Sequence, residues 1–549
     1  MTRFLAFALV VLLAACGTPP VAIVDGDLVE VIGDLDYTEH IRPILEAHDA
    51  LGDGADYSWN GVLMAGPGGF IVPFDADGSL IVRFVRDLDA DAAMPFPNLR
   101  KMSDFELRTV ARWIENGARN DGQVAFADAQ RLMLAGVQGE NHVAILDAET
   151  FRLIRRVHFD AHGLPSAPYG PHHFAFEPDG SAAYVSLVSA GVVAKISLDL
   201  GLDPDSEAAL LAHTPPGAFA TPGMLYTDGD DTLYIGRSTL SDPLATGMGQ
   251  LDLSRFETDA AAALEVIATP FNVPHALAVT PDGRYVLTAE LTGTQEGSRA
   301  LVYDTVSGDI ALTPIPAAGT PHELIHFSIL GAHHAGMMGP MEPGMGHGGS
   351  GHGGHDAGGP PHPGQGDDPD AHAHHSAGYP YTVTLTSRST DQVLFLTLME
   401  DGDLSLAGAA PAGDGPYHAH ANHDGSALLI PDQFGDAVTL LDPETREVML
   451  DVQAAAPGGP LSQPHSPAPN HDGSRFFVTS SNLDGAWMPD FLFNDADGAP
   501  QEASAFGNVA AFAPNGALLG VIQLGTYPSG LEPVFRSMMG TGGMDHSGH

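Results

Sequence analysis

Six short stretches of this chain place a histidine or a methionine one or two residues after a proline. They are Pro171-His172, Pro222-Gly223-Met224, Pro274-His275, Pro321-His322, Pro416-Tyr417-His418 and Pro464-His465. A neutral imidazole binds Cu, Zn or Fe through a ring nitrogen at about 2 Å, and a thioether among imidazoles favours copper. His172, Met224, His275, His322, His418 and His465 are therefore candidate metal ligands if the fold brings them to one place. His173, His326 and His420 are suited to a second layer that orients the first.

A second set of donors lies in two low-complexity tracts. The Gly/Pro-rich stretch 331–378 carries His333, His334, His347, His352 and His355 with Met337, Met338, Met341 and Met345. The tail 536–549 repeats the theme with Met544, His546 and His549. Neither tract has the apolar content to pack a core, so each is expected as an extruded segment that takes up copper weakly. Thioether suits Cu(I), and imidazole suits Cu(II) or Zn(II). Met544-Asp545-His546-Ser547 resembles the Met-Asp-His-Ser motifs of bacterial copper-resistance proteins.

The elements that must position the first set repeat. With Pro528 as a seventh member, the marker prolines recur at intervals of about 50 residues once 331–378 is set aside. Each unit alternates short runs of Val, Ala, Leu and Tyr with Gly, Asp and Pro turns, which reads as strands. Seven such units predict a mainly β chain with a seven-bladed β-propeller over 125–535, in which 331–378 is an insert in the fifth blade. In such a blade the innermost strand opens at the mouth of the central channel just past its marker, so the histidines converge on one axis, with Ser529 in the last unit. Residues 131–147 supply outer strands without an inner one, and Pro528 has no strands after it. The ring should close by the C-terminal strand joining the first blade, which removes an open sheet edge. Stretches such as "HVAILDAETFRLI", "RALVYDTVSGDI" and "AVTLLDPETREV" resemble YVTN-type β-propeller repeats, a resemblance that speaks to fold and little to function. The histidine ring is also similar to that of copper propellers such as nitrous oxide reductase. That family carries a cysteine-containing copper domain which this chain cannot supply.

Residues 36–121 read as a small all-α domain. Ile41, Ile44 and Leu45 form one helical stripe, and Ser103 is the expected N-cap of a helix closing near Gly117. The succession "IRPILEAH", "SLIVRFV", "AMPFP" and "ELRTVARWIENGA" resembles planctomycete-type cytochrome c domains, in which a methionine of a Met-Pro turn is an axial ligand. Met94 matches that element, as a remnant. Where the family carries Cys-x-x-Cys-His, this chain reads His48-Asp49-Ala50-Leu51-Gly52, so covalent haem is not expected.

The opening "MTRFLAFALVVLLAAC" has the length and composition of a signal peptide, and Leu13-Ala14-Ala15-Cys16 resembles a bacterial lipobox. Cys16, the only cysteine, is then the lipidation site, 1–16 is the signal, and 17–35 is a linker. Gly17 resembles the residue following the cysteine in outer-membrane lipoproteins. A net charge of −47 excludes a nucleic-acid partner, because no basic footprint exists to neutralise phosphates. The expected protein is exported and lipid-anchored, with copper bound in the propeller for metal binding or delivery. Two alternatives stay open, and with them the question of whether this is an enzyme. One is a copper- or iron-dependent oxidoreductase or electron-transfer protein whose first domain docks a redox partner. The other is a protein-binding scaffold.

Overall fold

The computed structural model describes residues 34–536 except 53, 87–99, 165–167, 230, 239–245, 318, 331–377, 423, 454–457 and 493–500, together with the backbone of 21–24 and 28–31. Met94, Cys16 and the donors of both low-complexity tracts lie outside the described residues. The segment expected as a linker contains a hairpin, Val21–Val24 paired antiparallel with Leu28–Val31. The β-branched residues of VAIV and LVEV favour that pairing.

Helices occupy the chain up to the propeller. A turn at Tyr37–Ile41, capped by the Asp36 carboxylate, runs into α1 (Arg42–Ala47). α2 (Trp59–Leu63), α3 (Leu80–Arg86) and α4 (Asp104–Glu115) follow. The N-cap expected at Ser103 is a reciprocal box: its hydroxyl accepts the Glu106 N–H, and the Glu106 carboxylate accepts the Ser103 N–H. Past α4 the chain turns at Gly117 with φ +90°, where a Cβ would lie 2.7 Å from the Phe74 ring, so only glycine fits. Val110, Trp113 and Ile114 of α4 are fully buried. They share one apolar cluster with Ile154, Val157 and Val185 of the strands beyond, so helices and propeller are packed on a common core.

Seven four-stranded antiparallel sheets form the propeller. Blade 1 takes its innermost strand, Pro528–Phe535, from the C-terminal end and pairs it with Arg131–Val137, followed outward by His142–Asp147 and Arg152–His158. This is the closure the sequence predicts. Blades 2 to 7 run outward in chain order from innermost strands at Pro171–Phe176, Pro222–Thr227, Pro274–Val279, Leu324–Ile329, His420–Ala421 and Pro464–Pro469. Strands such as His142–Asp147 and Ala182–Leu187 are buried at every residue, because each sheet is covered on both faces by its neighbours. The 331–378 insert joins the first two strands of blade 5, Leu324–Ile329 and Tyr381–Ser387.

Three residues of the outermost strand of blade 1 hold the helices. The Leu153 N–H donates to Gly68 O at 2.7 Å, the Arg152 guanidinium donates to the carbonyls of Ala65, Gly66 and Pro67, and Arg156 pairs with Asp75. Between them Arg155, 1% exposed, donates to the carbonyls of Ala125 and Leu200 and lies 5.2 Å from the Phe74 ring centroid. Burial pushes its pKa down to about 9, so it remains charged at neutral pH. Arg155→Ala should therefore cost roughly 3–5 kcal/mol, since it strands buried carbonyls and opens a cavity. Urea unfolding checks this, and a loss below about 1 kcal/mol would show that the arginine is not a fastener.

Candidate functional site

The innermost strands are built alike. Pro171 pairs with Leu187, Pro222 with Arg237, Pro274 with Glu290, Leu324 with Ser387, Pro416 with Asp432, Pro464 with Ser480 and Pro528 with Val137. In six of these blades the register then slips by one residue, as a β-bulge does. A bulge sets two residues of one strand against one of its partner, turning both towards the same side. That is why two adjacent histidines, His172 and His173, serve one channel. In three of these blades the N–H left out of the ladder is taken by a hydroxyl of the next strand. His173 N donates to Ser186 Oγ at 3.0 Å, His326 N to Thr386 Oγ1 at 3.1 Å and Ser466 N to Thr479 Oγ1 at 3.1 Å.

This pattern corrects the expected place of His322. In blade 5 the marker position belongs to Leu324, not Pro321, so Ile325 stands where His172 stands in blade 2, and His326 stands where His173 does. His322 lies before the strand with both ring nitrogens engaged, Nδ1 by Ser387 Oγ at 2.8 Å and Nε2 by Pro316 O at 3.0 Å. His275 is buried, with Nδ1 held 2.6 Å from Arg237 O. Met224 packs with Tyr226, Tyr234, Met248 and Leu277 in an apolar cluster.

The remaining histidines converge. His418, fully buried, has its ring centroid 4.8 Å from His465, 5.6 Å from His172, 5.3 Å from His326 and 6.4 Å from His173. His172 and His465 are 5.5 Å apart and edge to face, while His326 and His420 are 4.9 Å apart. Tyr417 stacks on His418 at 4.7 Å, and Tyr527 lies 6.0 Å from His465. Deeper along the strands, four residues past their markers, are Tyr226, His420 and Glu532. The Tyr226 hydroxyl is 3.1 Å from His326 Nε2, and Glu532 Oε1 is 3.4 Å from His173 Nε2 and 3.5 Å from His420 Nε2. Leu225 N–H donates to His173 Nδ1, so neutral His173 carries its hydrogen on Nε2, facing Glu532.

Burial sets the charge state of the cluster. It pushes the His172 pKa down to about 3 and His275 to about 4, and holds His418 and His465 well below the usual imidazole range, with neighbouring imidazoles adding to the effect at His172, His418 and His465. These rings are neutral at neutral pH and keep a lone pair each. Burial also pushes the Glu532 carboxyl well above its usual range. Five ring nitrogens, Nδ1 of His172 and both of His418 and of His465, are buried without a protein partner. Such groups cost about 1–3 kcal/mol each when nothing satisfies them.

Glu532, Tyr226, Tyr417 and Tyr527 were not anticipated from sequence. The usable signal was Glu532 itself, a lone acid inside the apolar strand Pro528–Phe535.

No protein-family model matches the chain, and no curated protein matches it. Solved structures are similar at low identity. A periplasmic gluconolactonase of Pseudomonas aeruginosa is 15% identical over 74% of this chain and 99% of its own, with a TM-score of 0.45. Hydrazine synthase of Kuenenia stuttgartiensis is 15% identical over 62% of this chain and 87% of its own, with a TM-score of 0.42. A dihydro-heme d1 dehydrogenase is 12% identical over 84% of this chain and 92% of its own, also at 0.42. Its own seven four-stranded sheets make the chain a seven-bladed β-propeller, and its chemistry has to be argued from its own residues.

Proposed function

We propose that this protein binds a transition metal ion, copper by preference, at the imidazole cluster of its propeller channel, and acts in metal binding or delivery outside the cytoplasm. The observation that carries the reading is the triangle of His172, His418 and His465, with ring centroids 4.8–5.6 Å apart and five buried nitrogens lacking protein partners. Three imidazoles around one ion, with bonds of about 2 Å and tetrahedral angles, place their ring centroids roughly 5 Å apart. Among the described residues no three ligand groups already aim at one point, so the rings must turn about their side-chain torsions to share an ion. Their neutrality removes the usual competition with protons. The Met/His tracts at 331–378 and 536–549 supply weaker donors of the same preference, and the lipobox-like signature at Cys16 supports an anchored, exported protein.

The test is a copper titration of tag-free chain, with competing chelators, on three forms. The parent and a chain lacking 331–378 should each hold a single tight ion. His418→Asn with His465→Asn should weaken that site by more than about tenfold, while circular dichroism shows the propeller intact. Undiminished tight binding in the double variant, or its loss on removing 331–378 alone, would refute the assignment.

A further inference from the structure

A cavity of about 440 Å³ lies where the helices meet blades 1 and 7, away from the imidazole cluster. Its wall comes from three parts of the chain: Asp75 and Arg83 of the helical region, His142 and Arg156 of blade 1, and Trp487, Phe491 and Gln523 around blade 7. The helices are fastened on two sides of it, by the Arg156–Asp75 pair and by the Phe84–Phe491 edge contact at 5.0 Å, so the space between is part of the packing.

The polar groups left over in this cavity are acceptors. His142 is 3% exposed, and its Nε2 has no protein partner. Its Nδ1 faces the Glu140 carboxylate at 3.9 Å, an acceptor-only group, so the ring hydrogen belongs on Nδ1 and Nε2 presents a lone pair. Gln523 Oε1, also on the wall, is buried without a partner. The cationic groups on the wall are occupied, Arg156 by Asp75, Arg83 by Gln501, and His158, whose pKa is raised against the pull of burial, by the Asp205 carboxylate. Four carboxylates, Asp75, Asp77, Glu140 and Asp490, outnumber them. An anion would meet excess negative charge there, whereas a ligand rich in N–H donors meets lone pairs, carboxylates and aromatic walls.

We infer that this junction cavity is a binding site for a small organic amine, its ammonium groups received by His142 Nε2, Gln523 Oε1 and Asp490 between Trp487 and Phe491. Nothing in the imidazole cluster is needed for it. Calorimetric titration of the intact chain with spermidine at near-physiological salt should give saturable binding, with glucose and gluconate as neutral and anionic comparisons giving none. Asp490→Asn and His142→Leu should each weaken spermidine more than about tenfold, with the ligand-free melting temperature of the Asp490 variant unchanged. Stronger binding of glucose or gluconate, no saturable spermidine binding, or unchanged affinity in the Asp490 variant would overturn the inference.

Discussion

A chain ending after Thr526 should have no cooperative unfolding transition. The strand Pro528–Phe535 supplies the whole inner edge of blade 1, paired with Arg131–Val137 from Phe535 opposite Arg131 to Pro528 opposite Val137. Leu531 and Val534 within it are buried, and burying such side chains is worth about 1.5–3 kcal/mol each. The strand also ties three blades together. Ser529 O accepts from Thr479 Oγ1 of blade 7 at 2.6 Å, and Ser529 Oγ donates towards Gly136 O of blade 1 and Pro171 O of blade 2, 3.2 Å from each. With ladder bonds at about 1 kcal/mol each, the loss approaches the 5–15 kcal/mol that holds a domain folded. Denaturant titration followed by near-ultraviolet circular dichroism decides it. A sigmoidal transition near the parent midpoint would show that blade 1 stands without its inner strand.

Acid should unfold the metal-free chain at a pH where most proteins are untroubled. In the unfolded chain imidazoles take up protons near 6.5, while folded His275 stays neutral to about 4, because burial outweighs its bond to Arg237 O. The folded state thus binds fewer protons below 6.5. Its stability is full above that pH and falls as pH drops towards the folded value. His275 alone removes about 3 kcal/mol between pH 6.5 and 4. Buried His142, outside the channel, and the cluster imidazoles His172, His418 and His465 act in the same direction. Glu532, Asp432 and His158, whose raised pKa values favour the folded state as pH falls, oppose them, three groups against five imidazoles. Calorimetric melting in the presence of a chelator should show a midpoint dropping steeply from pH 7 to pH 5. A flat midpoint over that range would contradict the burial of neutral rings.

The propeller was legible because proline, with no N–H to give the ladder, marks the start of almost every inner strand. Blade 5 breaks the rule with Leu324, and so Pro321 drew the reading three residues out of register and His322 into the candidate set. The hydroxyl at Thr386 was the available cue, since it stands one residue before the marker's partner, as Ser186 and Thr479 do. The convergence of His172, His418 and His465 was legible as a ring, but the bulge that brings His173 and His326 to the same axis was not. A bulge is a property of two paired strands and leaves no mark in either alone. The junction cavity was invisible for a similar reason: His142, Trp487 and Gln523 of the propeller meet Asp75 and Arg83 only where the helices dock.

The hydroxyl-capped bulge makes the channel modular. Blades 2, 5 and 7 repair the broken ladder bond within their own first two strands, through Ser186, Thr386 and Thr479. Ile325 and Tyr417 occupy, in blades 5 and 6, the place that His172, His275 and His465 hold elsewhere. The axis of this protein behaves as a row of sockets of like register, in which the chemistry displayed to the lumen differs from blade to blade while the sheets around it keep one pattern.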